Sequence, residues 1–156
     1  MRQMGGGAAV VIAVLTLAAA SADAKCVPSK YSDSWLQEQE RLGGDTMDRH
    51  VGRNASELVA HLAKEPESRS VSSFPDPRTA GQVINAALRP DEDAYDSWAR
   101  RAKAGERAEV RMAFEQPIGL LVERGNASGV PAHGIRVILE ATGQGNCRLV
   151  TAFPTR

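Results

Sequence analysis

The chain has 156 residues, 42% of them hydrophobic and 24% charged, with 19 basic and 19 acidic side chains. That is enough for one domain with a real core, and it excludes a disordered chain, a collagen and a strongly basic nucleic-acid binder. The zero balance conceals a gradient: residues 25–96 carry 9 basic and 13 acidic side chains, and residues 97–156 carry 9 basic and 5 acidic. Arginine outnumbers lysine by 15 to 4. Arginine is the better bidentate phosphate ligand, but a GC-rich coding sequence gives the same bias.

The N-terminus has the three parts of an export signal. Arg2 is the positive region, residues 8–20 are an apolar run, and Ser21-Ala22-Asp23-Ala24 is a small-x-small cleavage site. Cleavage is expected after Ala24 or Ala22. A transmembrane anchor is the alternative, but a span needs about 20 apolar residues. Lys25 before Cys26 argues against a lipidated cysteine. Export places the mature protein in the periplasm or outside the cell, with no membrane insertion after signal cleavage. An oxidising compartment favours pairing the two cysteines, Cys26 and Cys147. Two free thiols are the alternative. Two cysteines at this spacing make neither a CxxC redox site nor a zinc site.

Residues 35–42 have helical composition and stop at Gly43-Gly44. Residues 45–51 suit one or two helical turns. Residues 56–64 read as a helix with Leu58, Val59 and Leu62 on one face and Asn54 or Ser56 as cap. Residues 65–77 read as a loop. Residues 79–88 form a further helix, with Val83, Ile84, Ala87 and Leu88 inward, ended by Pro90. Residues 91–104 make another, opened by three acids that suit a helix N-terminus.

After Gly105 the period changes from helical to alternating. Residues 109–116, 118–124, 135–142 and 147–153 read as strands. Residues 125–134 read as a Gly/Pro/Ser loop and 143–146 as a turn. Helices first and antiparallel strands afterwards predict an α+β fold. There is no repeat, and no GxGxxG, Walker A or HExxH motif.

The chain has three histidines, His50, His61 and His133. Histidine is the usual acid/base side chain near neutral pH. On one straight helix His50 and His61 would share a face but stand about 16 Å apart. The break at residues 52–54 permits a closer approach. Each histidine alone is equally well read as a structural or surface residue, and His133 as a solvated loop residue. Thr151 and Phe153, two apart on the last strand, share a face.

An ordered set of landmarks then carries a resemblance. It comprises Gly44-Asp45-Thr46, Arg49-His50-Val51-Gly52, Glu57-Leu58, Leu62, Ser72-Ser73-Phe74 and Thr79-Ala80. It continues through Ile84, Ala87-Leu88, Trp98, Ile118-Gly119, Val122-Glu123-Arg124-Gly125, Arg136-Val137-Ile138-Leu139 and Val150-Thr151-Ala152-Phe153-Pro154. Over residues 44–154 the chain resembles the ribonuclease A-like toxin domain at the C-terminus of bacterial contact-dependent inhibition proteins, CdiA. The resemblance divides the chain into a signal peptide (1–24), an N-terminal extension (25–43) and a ribonuclease A-like domain (44–156). It implies N-terminal helices followed by a twisted antiparallel sheet.

The resemblance also implies metal-independent RNA cleavage with no cofactor. His50 matches the family's catalytic histidine and Thr151 its catalytic threonine. Two positions depart. His61 stands where the family has an arginine, and Phe153 where it often has a tyrosine. A second imidazole restores a two-histidine logic, with His50 as base and His61 as acid. Phe153 and Ser73 are the expected substrate-binding residues. RNA is the expected substrate, DNA is excluded for want of a 2′-OH, and a cognate immunity or inhibitor protein is an expected partner. The alternative function is a catalytically inactive envelope binding module on the same fold.

Overall fold

A computed structural model describes residues 25–28, 31 and 34–156. The expected signal peptide, residues 1–24, lies outside them. Among the described residues five α-helices come in chain order as α1 (Trp35–Arg41), α2 (Thr46–His50), α3 (Ala55–Lys64), α4 (Pro77–Leu88) and α5 (Glu92–Arg101). Six strands are β1 (Ser70–Ser73), β2 (Arg107–Ala113), β3 (Gly119–Glu123), β4 (Asn126–Ala132), β5 (Gly134–Gly143) and β6 (Asn146–Thr155). The fold is α+β, as the change of period predicts.

The strands form two antiparallel three-stranded sheets, β1-β3-β4 and β2-β5-β6, rather than one continuous meander. Two elements depart from the sequence reading. Residues 70–73, read as loop, form β1 against β3. The strand is short and polar, so its pattern carries no alternation. Residues 126–132, also read as loop, form β4. Gly125, at φ +91°, closes the hairpin, and Pro131 sits in an edge strand where a missing N–H costs no ladder bond. Gly119 lies where the two sheets meet. A Cβ there would come within 2.7 Å of Pro154 and overlap the Ser73 carbonyl.

Helix starts follow their caps. Asn54 and Glu57 form a reciprocal capping box on α3. Asp76 accepts from the Thr79 N–H at 2.8 Å, and Pro77 occupies the first turn of α4. The main core joins Phe74, Ile84, Leu88, Ile135, Val137, Leu139 and Leu149 from α4, β5 and β6 and the segment after β1. A smaller core under α3 joins Leu58, Leu62, Val71 and Val122.

Three residues of the expected extension 25–43 join this core. Cys26, Val27 and Leu36 are buried there. The Asp96 carboxylate of α5 accepts from the Cys26 and Val27 N–H groups at 2.7 and 3.2 Å. The buried Gln39 side chain accepts from the Leu149 N–H at 2.7 Å. Cys26 and Cys147 are joined as a disulfide across a sequence separation of 121.

A crosslink over so long a loop restricts the unfolded chain strongly, by about 4 to 5 kcal/mol in the chain-entropy account. The double variant Cys26→Ser/Cys147→Ser is therefore expected to unfold at lower urea, with stability reduced by about that amount. Intact mass of the native protein should lie two hydrogens below that of its reduced form. Equal stabilities, or two titratable thiols in the native protein, would contradict the crosslink.

Candidate active site

Helix α2 is one and a half turns long and has no independent stability at that length. It is held on β6. The Asp45 N–H donates to the Val150 carbonyl at 3.0 Å, and the Ala152 N–H donates to the buried Thr46 hydroxyl at 2.9 Å. Its last residue, His50, is clamped from the other side. The Phe74 N–H donates to the His50 carbonyl at 2.8 Å, and the Gly52 N–H to the Phe74 carbonyl at 2.9 Å. His50 is thus wedged between β1 and the end of β6.

These elements frame a cleft of about 480 Å³. His50, Thr151 and Phe153 all line it, with Arg49, Asp45 and Glu65. The His50 Nδ1 lies 3.0 Å from the Ser72 carbonyl oxygen. A carbonyl only accepts, so Nδ1 carries the proton and the neutral ring keeps its lone pair on Nε2. Burial pushes the imidazole below its ordinary 6.5, more than the Ser72 carbonyl and Asp45 push it back up; Arg49 and His61 add to the lowering. At neutral pH the ring is therefore a free base. The Phe153 ring packs against it, with centroids 5.2 Å apart.

Thr151 precedes Phe153 by two on β6 and faces the same side. Its hydroxyl oxygen is shielded from water and has no hydrogen-bond partner among the described residues. Such a group costs free energy unless something completes it. An unpaired hydroxyl in the wall of a cleft beside a free imidazole is suited to a ligand oxygen.

His61 is not on the cleft wall. Its Nε2–H donates to the Glu65 carboxylate at 3.0 Å, one helical turn on. Glu65 does line the cleft, and there it also accepts from Arg49 Nη2 at 2.5 Å and from Ser68 Oγ at 3.0 Å. These donors, His61 first, hold the Glu65 carboxyl below its usual range, so it is ionised. Ser73 is not in the cleft either. It is 2% exposed, and its hydroxyl accepts from the Arg53 N–H and donates to the Phe74 carbonyl. The neighbouring Ser72 lines the cleft instead and bonds the Pro154 carbonyl through its hydroxyl at 2.7 Å. His133 sits between β4 and β5, outside the cleft lining. It is half-buried rather than solvated.

The sequence reading missed Arg49 as a site residue. Its guanidinium faces the cleft with Nη1 3.9 Å from Asp45, and its shielded Nε has no partner among the described residues. Its place in the landmark Arg49-His50-Val51-Gly52 is the signal that could have found it, but on an α-helix neighbours usually diverge. Among the described residues no group of three or more His, Cys, Asp or Glu is arranged to hold a metal.

The family model of the bacterial CdiA-CT RNAse A domain matches residues 44–154. The chain belongs to that family. The match runs from the turn before α2 to the end of β6, and so spans every residue of the cleft except those at the C-terminus. A solved structure, the crystal structure of a CdiA-CT/CdiI complex from Y. kristensenii 33638, is similar at a TM-score of 0.60 and 28% identity. The similarity covers 70% of this chain and 97% of that one. Comparison with curated proteins found no match. By family, this is a ribonuclease A-like toxin nuclease domain.

The state of His50 is directly measurable. Because its folded pKa lies below the unfolded value, protonation favours the unfolded chain. The stability held by the neutral ring is complete above about pH 6.5 and is lost as pH falls through that value toward the folded pKa. His50 ring resonances followed by NMR should therefore titrate below 6.5, and His50→Gln should flatten the stability loss over that window. A titration at or above 6.5 would contradict the buried, Nδ1-protonated ring.

Proposed function

We propose that this domain is a metal-independent endoribonuclease, exported and toxin-like, that cleaves RNA by attack of the ribose 2′-OH. The observation that carries the reading is the trio of His50, Thr151 and Arg49 on one cleft: a free base, an unpaired hydroxyl and a cation.

His50 Nε2 takes the proton from the 2′-OH, and the oxygen attacks the adjacent phosphorus. The bond from phosphorus to the 5′-oxygen breaks, leaving a 2′,3′-cyclic phosphate. The Thr151 hydroxyl donates to a non-bridging phosphate oxygen. Arg49, rather than residue 61, supplies the cation that offsets the growing charge. Glu65 holds the Arg49 fork in place. His61 is read as the acid that protonates the leaving oxygen. Its support is that its Nε2–H is bonded to Glu65, which joins His61 to the cleft wall. DNA, which lacks the 2′-OH, is not cut.

The crosslink between Cys26 and Cys147 supports export to an oxidising compartment, since such bonds persist there and are rare in the cytoplasm. The related structure is a CdiA-CT/CdiI complex. By that likeness a cognate immunity protein that covers the cleft is proposed here as partner.

The test uses purified residues 25–156 with EDTA present. The parent is expected to cleave RNA but not the matching DNA. His50→Ala should lower the rate by about 10²- to 10⁴-fold, the usual weight of general-base catalysis. Arg49→Ala should lower it by about 10²- to 10³-fold, chiefly in kcat. No cleavage by a folded parent would return the domain to the binding-module reading. Cleavage that EDTA abolishes would overturn the metal-free mechanism.

A further inference from the structure

The outer face of the β2-β5-β6 sheet carries a row of side chains that leads out of the cleft. The register sets Arg111 of β2 opposite Arg136 of β5, and Arg136 opposite Phe153 of β6. Directly paired residues share a face. Phe153 lines the cleft, so the row begins there and ends on the edge strand β2, roughly 10 Å away at the usual strand spacing.

The Arg136 guanidinium lies over the Phe153 ring, 5.9 Å from its centroid. Arg136 also donates to Glu109 at 2.6 Å, and Arg111 donates to the other oxygen of the same carboxylate. Arg111 and Arg136 hold the Glu109 carboxyl below its ordinary range. Two guanidinium groups against one carboxylate leave the row net positive. Arg111 is 73% exposed, while the Arg136 Nε is shielded and has no partner among the described residues.

A solvated sheet face with cross-strand ion pairs is the ordinary account of such residues. Two things here exceed it. One arginine is stacked on a ring that belongs to the cleft, and a shielded donor of that arginine is unused. Both lie in the half of the chain with the basic excess.

We propose that Arg111, Arg136 and Phe153 form a flanking subsite for single-stranded RNA. The base next to the scissile phosphate stacks on Phe153, and the phosphate beyond it is held by Arg136 and Arg111. An aromatic ring accepts any base, and an arginine fork binds a phosphodiester by two donors. The site therefore takes RNA strands longer than a dinucleotide, with little base preference at this position. The proposal rests on the RNA reading of the cleft, but it needs only RNA binding, not cleavage.

Two measurements separate RNA binding at this row from cleavage in the cleft. In the first, kcat/KM is compared for a dinucleotide and an octanucleotide of RNA. The parent should prefer the octanucleotide; Arg136→Gln should reduce that preference about tenfold and Arg111→Ala several-fold, through KM. Arg107→Ala is the control, since Arg107 is also exposed on β2 but pairs with Glu140 away from the row. It should keep the parent's preference.

In the second, binding of an uncleavable 2′-O-methyl octanucleotide is followed by fluorescence anisotropy over a range of salt. The log–log salt slope should become shallower by about 0.7 for each phosphate that Arg136→Gln or Arg111→Ala leaves without its arginine. Parent-like length preference and salt slope in both variants would overturn the subsite, including the case where this face serves a protein partner. A shallower slope in these variants of a protein that cleaves nothing would support the subsite while removing the ribonuclease reading.

Discussion

Everything at the cleft depends on how α2 is pinned to β6. Five residues of helix cannot hold themselves. The Thr46 hydroxyl and the Asp45 N–H dock the helix on the Ala152 and Val150 backbone of β6. The same strand presents Thr151 and Phe153 on its other face. The bond from His50 to the Ser72 carbonyl closes the arrangement against β1. Base, hydroxyl and ring therefore keep their spacing because two polar anchors, one of them buried, fix a short helix to one strand.

The charge in the cleft is balanced rather than simply basic. Arg49 is met by Glu65 and stands near Asp45, and Arg156 is met by Glu123. Carboxylates beside an anionic substrate weaken binding unless they serve to aim cations. Glu65 does so: one carboxylate orders an arginine, a histidine and a serine hydroxyl. That cluster also explains how a chain with histidine at position 61 retains a guanidinium at its cleft. The guanidinium on the cleft wall is that of Arg49, the residue beside His50.

Much of the fold is legible from periodicity and caps. The helices α3 and α5 announce themselves through Asn54 and the acids at 91–93, and α4 through its inward Val83, Ile84, Ala87 and Leu88. The strands β2, β5 and β6 announce themselves by alternation. The strands β1 and β4 do not. β1 is four residues long, and its inward residues include two serines. β4 is a mostly exposed edge with glycine and proline in it. Strands of that kind are specified by their partner β3, not by their own pattern. The hold of Asp96 on the Cys26 and Val27 backbone is invisible locally, because it joins residues about 70 apart in the chain.

The site divides in the same way. His50, Thr151 and Phe153 are picked out by residue type and by the ordered landmarks around them, because the chemistry needs an imidazole and a hydroxyl and the sequence offers few. Ser73 is misplaced by one residue. Ser73 turns its hydroxyl to the Arg53 N–H and the Phe74 carbonyl, while the backbone carbonyl of Ser72 meets the histidine. Arg49 and Glu65 could not be chosen from among the many arginines and acids, since any of them suits a solvated surface. What the sequence alone determined is the class of fold and the family. What only the tertiary structure decided is which charges face the cleft, because that depends on the packing of α2 and α3 against strands distant in the chain.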